Sequence, residues 1–260
     1  MPERADDSLD RGFDRANAEF WNELCGSTLA RAHGVSDHSV ASLAAFDRAY
    51  LAFYPYLLNR IGIRSVRGKD VLEVGLGYGT LSQQLVLAGA RYMGLDVAAG
   101  PVQMVNHRLQ SLGLPGRSMQ GSMLQAPVAD ESQDVVISVG CFHHTGSVQR
   151  CIDETYRVLR PGGSARIMVY NGLSYRQWLR WPRQTLRLFW SGGSSAANVD
   201  ADRRRTYDAN LAGEAAPETV FIPSGNFGKC SPPIHSSHAE RRTAQTLPCS
   251  LADSFPENGC

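Results

Sequence analysis

Three glycines at alternating positions, Gly75, Gly77 and Gly79, follow a short apolar run in the segment D-V-L-E-V-G-L-G-Y-G-T at residues 70–80. Glycine tolerates positive φ and lets the backbone come close to a ligand, so a glycine-rich turn between a strand and a helix is typical of a ligand cradle. An ordinary strand-to-helix turn does not need three glycines. The spacing therefore predicts a small-molecule site at this turn, with Glu73 immediately before it.

An aspartate ends the next predicted strand, Arg91–Asp96, and lies 17 residues after Gly79. A carboxylate at the carboxyl end of a second strand can accept hydrogen bonds from two ribose hydroxyls. Taken alone, an aspartate there is more often a turn former or a helix cap. After the glycine-rich turn, we interpret Asp96 as a ribose ligand.

The glycine spacing also bears on the class of nucleotide. The dinucleotide fingerprint G-x-G-x-x-G would place its third glycine where Thr80 stands. A nicotinamide-dependent oxidoreductase is therefore the weaker alternative.

Two further strands are predicted at Arg117–Gln120 and Gln133–Val139. The first leads to Gly121-Ser122-Met123, and the second ends at Gly140-Cys141-Phe142-His143-His144. One of the adjacent histidines, His143, is a candidate general base, although a purely structural histidine is the alternative. On an extended segment the two rings would lie on opposite sides, which is poor geometry for one metal ion, so no metal site is predicted.

These features together resemble class I S-adenosylmethionine-dependent methyltransferases. The resemblance rests on E-x-G-x-G-x-G, on Asp96, on the fourth strand and on R-V-L-R-P-G-G at residues 157–163, and it covers residues 69–171. The phrase C-F-H-H-T is similar to the small-molecule branch, such as the quinone-biosynthesis methyltransferases. The family implies an α/β three-layer sandwich with a Rossmann-like, mostly parallel sheet of order 3-2-1-4-5, continued as 7-6 in an antiparallel hairpin if complete.

The cosubstrate that the resemblance implies is S-adenosylmethionine, lying across the carboxyl ends of strands 1, 2 and 4. The cofactor-binding residues that it implies are Glu73, Gly75, Gly77, Tyr78, Gly79, Asp96, Val97, Ser122, Met123 and Gly140. Glu73, the glycine turn and Gly140 would hold the methionine part, and Asp96 the ribose. Ser122, Met123 and Val97 would contact the adenine. Many relatives carry an acidic residue where Ser122 stands, and this chain departs from them there.

The implied reaction is in-line methyl transfer to an O, N or C atom of a small-molecule acceptor. The strand-4 motifs of amino-methylating and cytosine C5 enzymes are absent, and 26 Lys+Arg against 25 Asp+Glu give no field that would attract nucleic acid. A non-catalytic binding or regulatory protein with the same fold is the alternative from another class.

The chain divides into four predicted regions. Residues 1–64 form a helical extension, residues 65–171 the S-adenosylmethionine-binding core, residues 172–222 a basic amphipathic helical segment and loop, and residues 223–260 an irregular tail. In residues 173–190, four arginines fall on one helical face opposite aromatic residues, which suits either a solvated face or peripheral membrane contact. A polar start, the lack of a long apolar run and scattered cysteines predict a cytoplasmic protein with reduced thiols and no transmembrane segment.

Overall fold

The fold is seen in a computed structural model that describes residues 5–24, 26–190, 199–222 and 243–247, with side chains described from residue 12 to residue 222 inside those ranges. The helices are α1 (Ala5–Phe20), α2 (Ser27–Ala32), α3 (Val40–Phe53), α4 (Leu57–Arg60), α5 (Thr80–Leu87), α6 (Ala99–Ser111), α7 (Val148–Val158), α8 (Tyr175–Arg180), α9 (Pro182–Trp190) and α10 (Ala201–Arg205). The strands are β1 (Asp70–Val74), β2 (Arg91–Asp96), β3 (Arg117–Gln120), β4 (Gln133–Val139), β5 (Leu159–Met168) and β6 (Thr243–Leu247).

The sheet has the order β3-β2-β1-β4-β5-β6, and every neighbouring pair is parallel. In the centre, Leu72 of β1 lies opposite Met93 of β2 on one side and Val136 of β4 on the other. The predicted order 3-2-1-4-5 is confirmed. Because β1 and β4 are adjacent while their crossovers run in opposite directions, the strand order reverses between them, and a crevice forms at their carboxyl ends.

The last described strand corrects the expectation for the end of the sheet. The resemblance implied an antiparallel 7-6 hairpin, whereas β6 lies directly beside β5 in the parallel sense, with Met168 opposite Leu247. The remaining residues of the predicted irregular tail, 223–242 and 248–260, lie outside the described residues.

Two apolar layers cover the sheet. On one face, Cys151 and Ile152 of α7 pack into a cluster with Leu72 and Val136. On the other, Leu85 of α5 and Val105 of α6 pack with buried residues of β1 and β4. The consecutive buried residues of β1, from Val71 to Val74, suit this three-layer arrangement, since neither face of the sheet meets water there.

Polar side chains cap four of the described helices, whereas the helix that follows the glycine turn has no such cap. Four helices begin after a serine or aspartate whose side chain accepts a backbone N–H three residues on: Ser39, Ser147, Ser174 and Asp200. Helix α5 instead begins after Gly79, in the left-handed conformation and with no side-chain cap. Its first amide groups are therefore left without a local side-chain acceptor.

Residues 173–190 do not form one continuous helix. Helix α8 ends at Arg180, and Pro182 begins α9, because proline fits the first turn of a helix and not its interior. Among the described residues, no helix has both the length and the apolar character that crossing a bilayer requires.

Candidate functional site

A cleft at the carboxyl edge of the sheet is the main cavity in the described part of the chain. It encloses about 1060 Å³ between its walls, open solvent at its mouth included. All of the residues that the sequence assigned to the cofactor line it: Glu73, Gly75, Gly77, Tyr78, Gly79, Asp96, Val97, Ser122, Met123 and Gly140. The volume and the position at the strand-order reversal suit a ligand of nucleoside size.

The glycine turn between β1 and α5 has a backbone that other residues would not adopt. Gly75, Gly77 and Gly79 have φ values of 82°, 50° and 76°. A Cβ on Gly75 would lie 2.6 Å from the Cβ of Cys141, and one on Gly79 would lie 2.9 Å from Val105 Cγ2. Glycine is therefore required both by conformation and by space, and the turn is drawn tightly against β4 and α6.

Asp96 closes the cleft at the end of β2 and holds the glycine turn in place. Its Oδ2 accepts a hydrogen bond from Leu76 N at 2.8 Å, and its Oδ1 accepts one from Ala98 N at 2.9 Å. Burial raises the pKa of the Asp96 carboxyl to about 6, although these backbone donors act in the opposite direction. Each oxygen keeps a second lone pair, so the carboxylate can also accept two hydroxyl groups of a bound sugar.

Glu73 lies below the turn and is almost completely buried. Its Oε2 accepts hydrogen bonds from Ser82 Oγ at 2.6 Å and from Tyr92 OH at 2.7 Å. Burial raises the pKa of Glu73 to about 7, and the two hydroxyl donors limit that rise. A cationic group bound at this end of the cleft would favour the ionised carboxylate.

The segment after β3 forms a wall of the cleft. Ser122 Oγ accepts a hydrogen bond from Leu124 N at 3.1 Å, and Met123 is buried beside it. Asp14 of α1 reaches this wall, where its carboxylate lies near the Ser122 hydroxyl and lines the cleft with it. Burial raises the pKa of Asp14, while the Ser122 hydroxyl lowers it.

Helix α1 forms a roof over the cleft. Asn17 Nδ2 donates to His144 O at 2.8 Å, and Asn22 Oδ1 accepts Gly100 N at 2.8 Å. The Trp21 ring lies 4.9 Å from the His144 ring. Asp14, Asn17 and Trp21 all line the cleft and are spaced for one helical face, but that pattern identifies a site only once the helix is known to cross it.

Helix α3 completes the roof through a buried ion pair. Asp47 Oδ1 accepts a hydrogen bond from Thr80 Oγ1 at 2.5 Å, and its Oδ2 accepts one from Arg108 Nη1 at 2.6 Å. Arg108 is 1% exposed and also contacts Gln83 Oε1. The pair ties α3 to α6 and to the start of α5. It brings Phe46 against Tyr78 of the glycine turn, with ring centroids 4.2 Å apart.

The two histidines after β4 occupy different environments. His143 is fully buried and lies outside the cleft lining, with its ring 4.1 Å from both the His144 and Tyr170 rings. Neither of its ring nitrogens has a hydrogen-bond partner among the described residues. Burial lowers the pKa of His143 far below its ordinary value, so the ring is neutral. The structure does not bring this predicted base to the cleft.

His144 lines the cleft instead, because the segment is not extended. Residues Phe142–His144 form a 3-10 turn, so the expectation that the rings lie on opposite sides is wrong. His144 Nδ1 contacts Glu218 O at 2.7 Å, and its Nε2 is 3.6 Å from Asp208 Oδ2. Both nitrogens therefore face protein groups. In the described part of the chain, no cluster of three or more His, Cys, Asp or Glu side chains is arranged to hold a metal ion.

A family model described as a methyltransferase domain matches residues 72–167. The chain contains a class I S-adenosylmethionine-dependent methyltransferase domain. Its matched span runs from β1 to β5 and contains the glycine turn, Asp96 and the wall after β3. S-adenosylmethionine, the cosubstrate of this class, is the ligand with which the cleft's shape and donor set agree.

Two sequence relatives of the methyltransferase domain each match less than half of this chain. A sterol 24-C-methyltransferase of Gibberella zeae is 33% identical over 122 residues, covering 46% of this chain and 32% of the relative. A phthiotriol/phenolphthiotriol dimycocerosates methyltransferase of Mycobacterium tuberculosis is 34% identical over 121 residues, 45% of this chain and 42% of the relative. Both relatives are thus much longer than the part that this chain matches. A solved structure of a putative methyltransferase from Bacillus halodurans has a TM-score of 0.49 and 18% identity, covering 67% of this chain and 65% of its own.

Proposed function

We propose that this protein transfers the methyl group of S-adenosylmethionine to a small, largely apolar acceptor in the cleft at the carboxyl edge of the sheet. The observation that carries the proposal is the meeting of the glycine turn, Asp96 and the wall after β3 around one cavity. Each of these follows a different strand, and each supplies groups that suit one part of an adenosyl sulfonium: the amino-acid part, the ribose or the base.

In this proposal the long axis of the ligand runs from β4 to β3. Glu73, Gly140 and the glycine turn hold the amino-acid part, and the open space in front of Gly140 Cα leaves room for it. Asp96 accepts the ribose hydroxyls. Val97, Ser122 and Met123 surround the base, where the buried Met123 side chain supplies an apolar contact.

When bound, S-adenosylmethionine supplies a methyl group on a positively charged sulfur, which is already a strong electrophile. The work left to the chain is to align the acceptor atom with the sulfur–methyl bond and to exclude water. Trp21, Phe46 and Tyr50 line the cleft from the roof and suit both tasks. His143 has no part in this proposal, since it does not reach the cavity.

The character of the roof supports an apolar acceptor. Its lining side chains include the three aromatic rings of Trp21, Phe46 and Tyr50, and the polar Asn17 is engaged in holding α1 to the His144 carbonyl. The names of the two relatives above describe enzymes that act on a sterol and on phthiotriol dimycocerosates. A lipid-like acceptor for this chain is consistent with both observations.

Peripheral membrane contact through residues 173–190 extends the same proposal. Helices α8 and α9 expose the large apolar side chains Tyr175, Trp178, Leu179, Leu186, Phe189 and Trp190. The segment has four arginines and no acidic residue, so it is complementary to an anionic lipid surface. It follows β5 at the carboxyl edge of the sheet, the same edge as the cleft. The predicted cytoplasmic location stays a prediction.

The test is methyl transfer from S-adenosylmethionine labelled with tritium in the methyl group to an organic-solvent extract of cells. We expect protein-dependent label in the organic phase and none in the aqueous macromolecular fraction. Label confined to nucleic acid or protein would contradict the proposed acceptor class. Tight binding of the cosubstrate with no transfer to any fraction would instead support a non-catalytic binding protein.

A further inference from the structure

We infer that Asp14 of α1 recognises the adenine of the cosubstrate, its carboxylate accepting a hydrogen bond from the exocyclic amine. The inference rests on the proposed function and names a residue outside the matched methyltransferase domain as part of the cofactor site. It predicts that the N-terminal extension selects an amino-purine over an oxo-purine.

The position of Asp14 follows from the order of groups in the ligand. Methionine, ribose and adenine are joined in that order, so a ligand with its methionine at the glycine turn and its ribose at Asp96 has its base beyond Asp96. The residues at that end of the cleft are Val97, Ser122 and Met123, and Asp14 lines the cleft beside Ser122.

Selection of an adenine amine at this wall requires a group that only accepts hydrogen bonds, and the Ser122 hydroxyl is not such a group. Ser122 Oγ already accepts the Leu124 N–H, so its hydroxyl proton is available to Asp14. A carboxylate only accepts hydrogen bonds, whereas a hydroxyl both donates and accepts and so does not distinguish an amine from a carbonyl. The Asp14 carboxylate, which lines the cleft near Ser122, has lone pairs that suit the adenine amine.

Helix α1 is fixed well enough to make Asp14 a preorganised ligand. One turn after Asp14, the Asn17 side chain, in a residue that is 3% exposed, donates a hydrogen bond to the His144 carbonyl. Just after the end of α1, Asn22 Oδ1 accepts a hydrogen bond from the Gly100 amide. These contacts pin α1 at the ends of β4 and β2. The carboxylate is thereby held in a half-buried position, which is costly for a charge unless a partner compensates it.

The test is isothermal calorimetry of the full chain with two ligands, S-adenosylhomocysteine and its 6-oxo analogue S-inosylhomocysteine. The variants are Asp14→Asn and, as a matched control on the same helix, Glu19→Gln, whose side chain is 69% exposed. We expect the wild type to prefer the adenosyl ligand. Asp14→Asn should weaken it roughly 10- to 100-fold, as for loss of a hydrogen bond to a charged group.

The ratio of the two affinities is the decisive readout, because it is independent of the fraction of protein that is folded. For Asp14→Asn the ratio should fall toward unity, since an amide can donate to the 6-oxo group. For Glu19→Gln it should stay at the wild-type value. An unchanged ratio in Asp14→Asn would overturn the role of Asp14 while leaving the proposed function intact. Absence of binding of either ligand to the wild type would overturn both.

Discussion

The floor and the roof of the cleft are built in different ways. The floor comprises the glycine turn, Glu73 and Asp96, which lie close together in sequence. Backbone amides of the turn join it to β2, Gly75 N donating to Leu95 O and Leu76 N donating to Asp96 Oδ2. The roof comes from α1 and α3 and is joined to the floor by side chains, chiefly Asp47 and Arg108. A site can therefore have a locally encoded half and a half that exists only through tertiary packing.

We therefore expect substitutions in the roof mainly to lower stability, and substitutions in the floor to lower both stability and ligand binding. Four changes test this contrast, beginning with the one for which we expect the largest effect.

Arg108→Met should lower the free energy of unfolding by about 3–5 kcal/mol, because it leaves Asp47 as a buried charge without its cation. Urea denaturation followed by circular dichroism measures the change. The double variant Asp47→Leu/Arg108→Met should recover most of the loss, since a buried ion pair can be replaced by apolar residues. Equal destabilisation in the single and double variants would show that the charge pair does not hold the roof.

Gly75→Ala should cost about 2–4 kcal/mol and abolish binding of S-adenosylhomocysteine. Part of the cost comes from the left-handed conformation and part from the clash with Cys141 Cβ at 2.6 Å. Gly113→Ala is the matched control, because Gly113 also has positive φ but a Cβ there meets nothing within 4 Å. If both variants lost the same stability and kept binding, the tight turn would not be needed for the ligand.

Glu73 should give the floor a measurable pH dependence. Its pKa is about 7 in the folded protein and has an ordinary value of 4.5, so the folded state retains a proton that the unfolded chain releases. Its stabilising contribution is therefore complete below pH 4.5 and is lost as the pH rises toward 7. Relative to Glu73→Gln, the wild type should lose stability with a slope of up to about 1.4 kcal/mol per pH unit in that window.

Burial also raises the pKa of Asp96, to about 6, and Asp96 is present in both the wild type and Glu73→Gln. It contributes a slope of the same sign to both profiles, so the difference between the two profiles isolates the contribution of Glu73. Parallel pH profiles for the wild type and Glu73→Gln would contradict the raised pKa of Glu73.

The smallest expected effect concerns the surface of α8 and α9. Trp178→Ala/Trp190→Ala should reduce sedimentation with vesicles of phosphatidylglycerol and phosphatidylcholine several-fold, and 0.5 M salt should reduce it further. Leu87→Ala is the control, since Leu87 is an equally exposed apolar residue on α5. Binding that is independent of both tryptophans and of anionic lipid would show that the surface does not contact membranes.

Much of the floor was predictable from sequence. Strands β2, β3 and β4 have the predicted bounds. The signal is clearest for β4, where a short apolar run identifies a buried parallel strand. The choice between His143 and His144 was not predictable, since it depends on a 3-10 turn instead of an extended strand end. The positions of Asp14 and Asp47 were also hidden, because ordinary surface helices carry such residues. Only the packing of α1 and α3 brings Asp14 to the cleft and Asp47 to Thr80 and Arg108.

The central claim is that the cleft binds S-adenosylmethionine through the glycine turn and Asp96. Its most direct test is a calorimetric titration of the wild type and Asp96→Ala with S-adenosylhomocysteine and, separately, with NAD. The account predicts saturable binding of S-adenosylhomocysteine to the wild type, affinity about 100-fold lower in Asp96→Ala, and no heat with NAD. Wild-type protein that is folded and gives no heat with S-adenosylhomocysteine, or an Asp96→Ala variant with unchanged affinity, would contradict it.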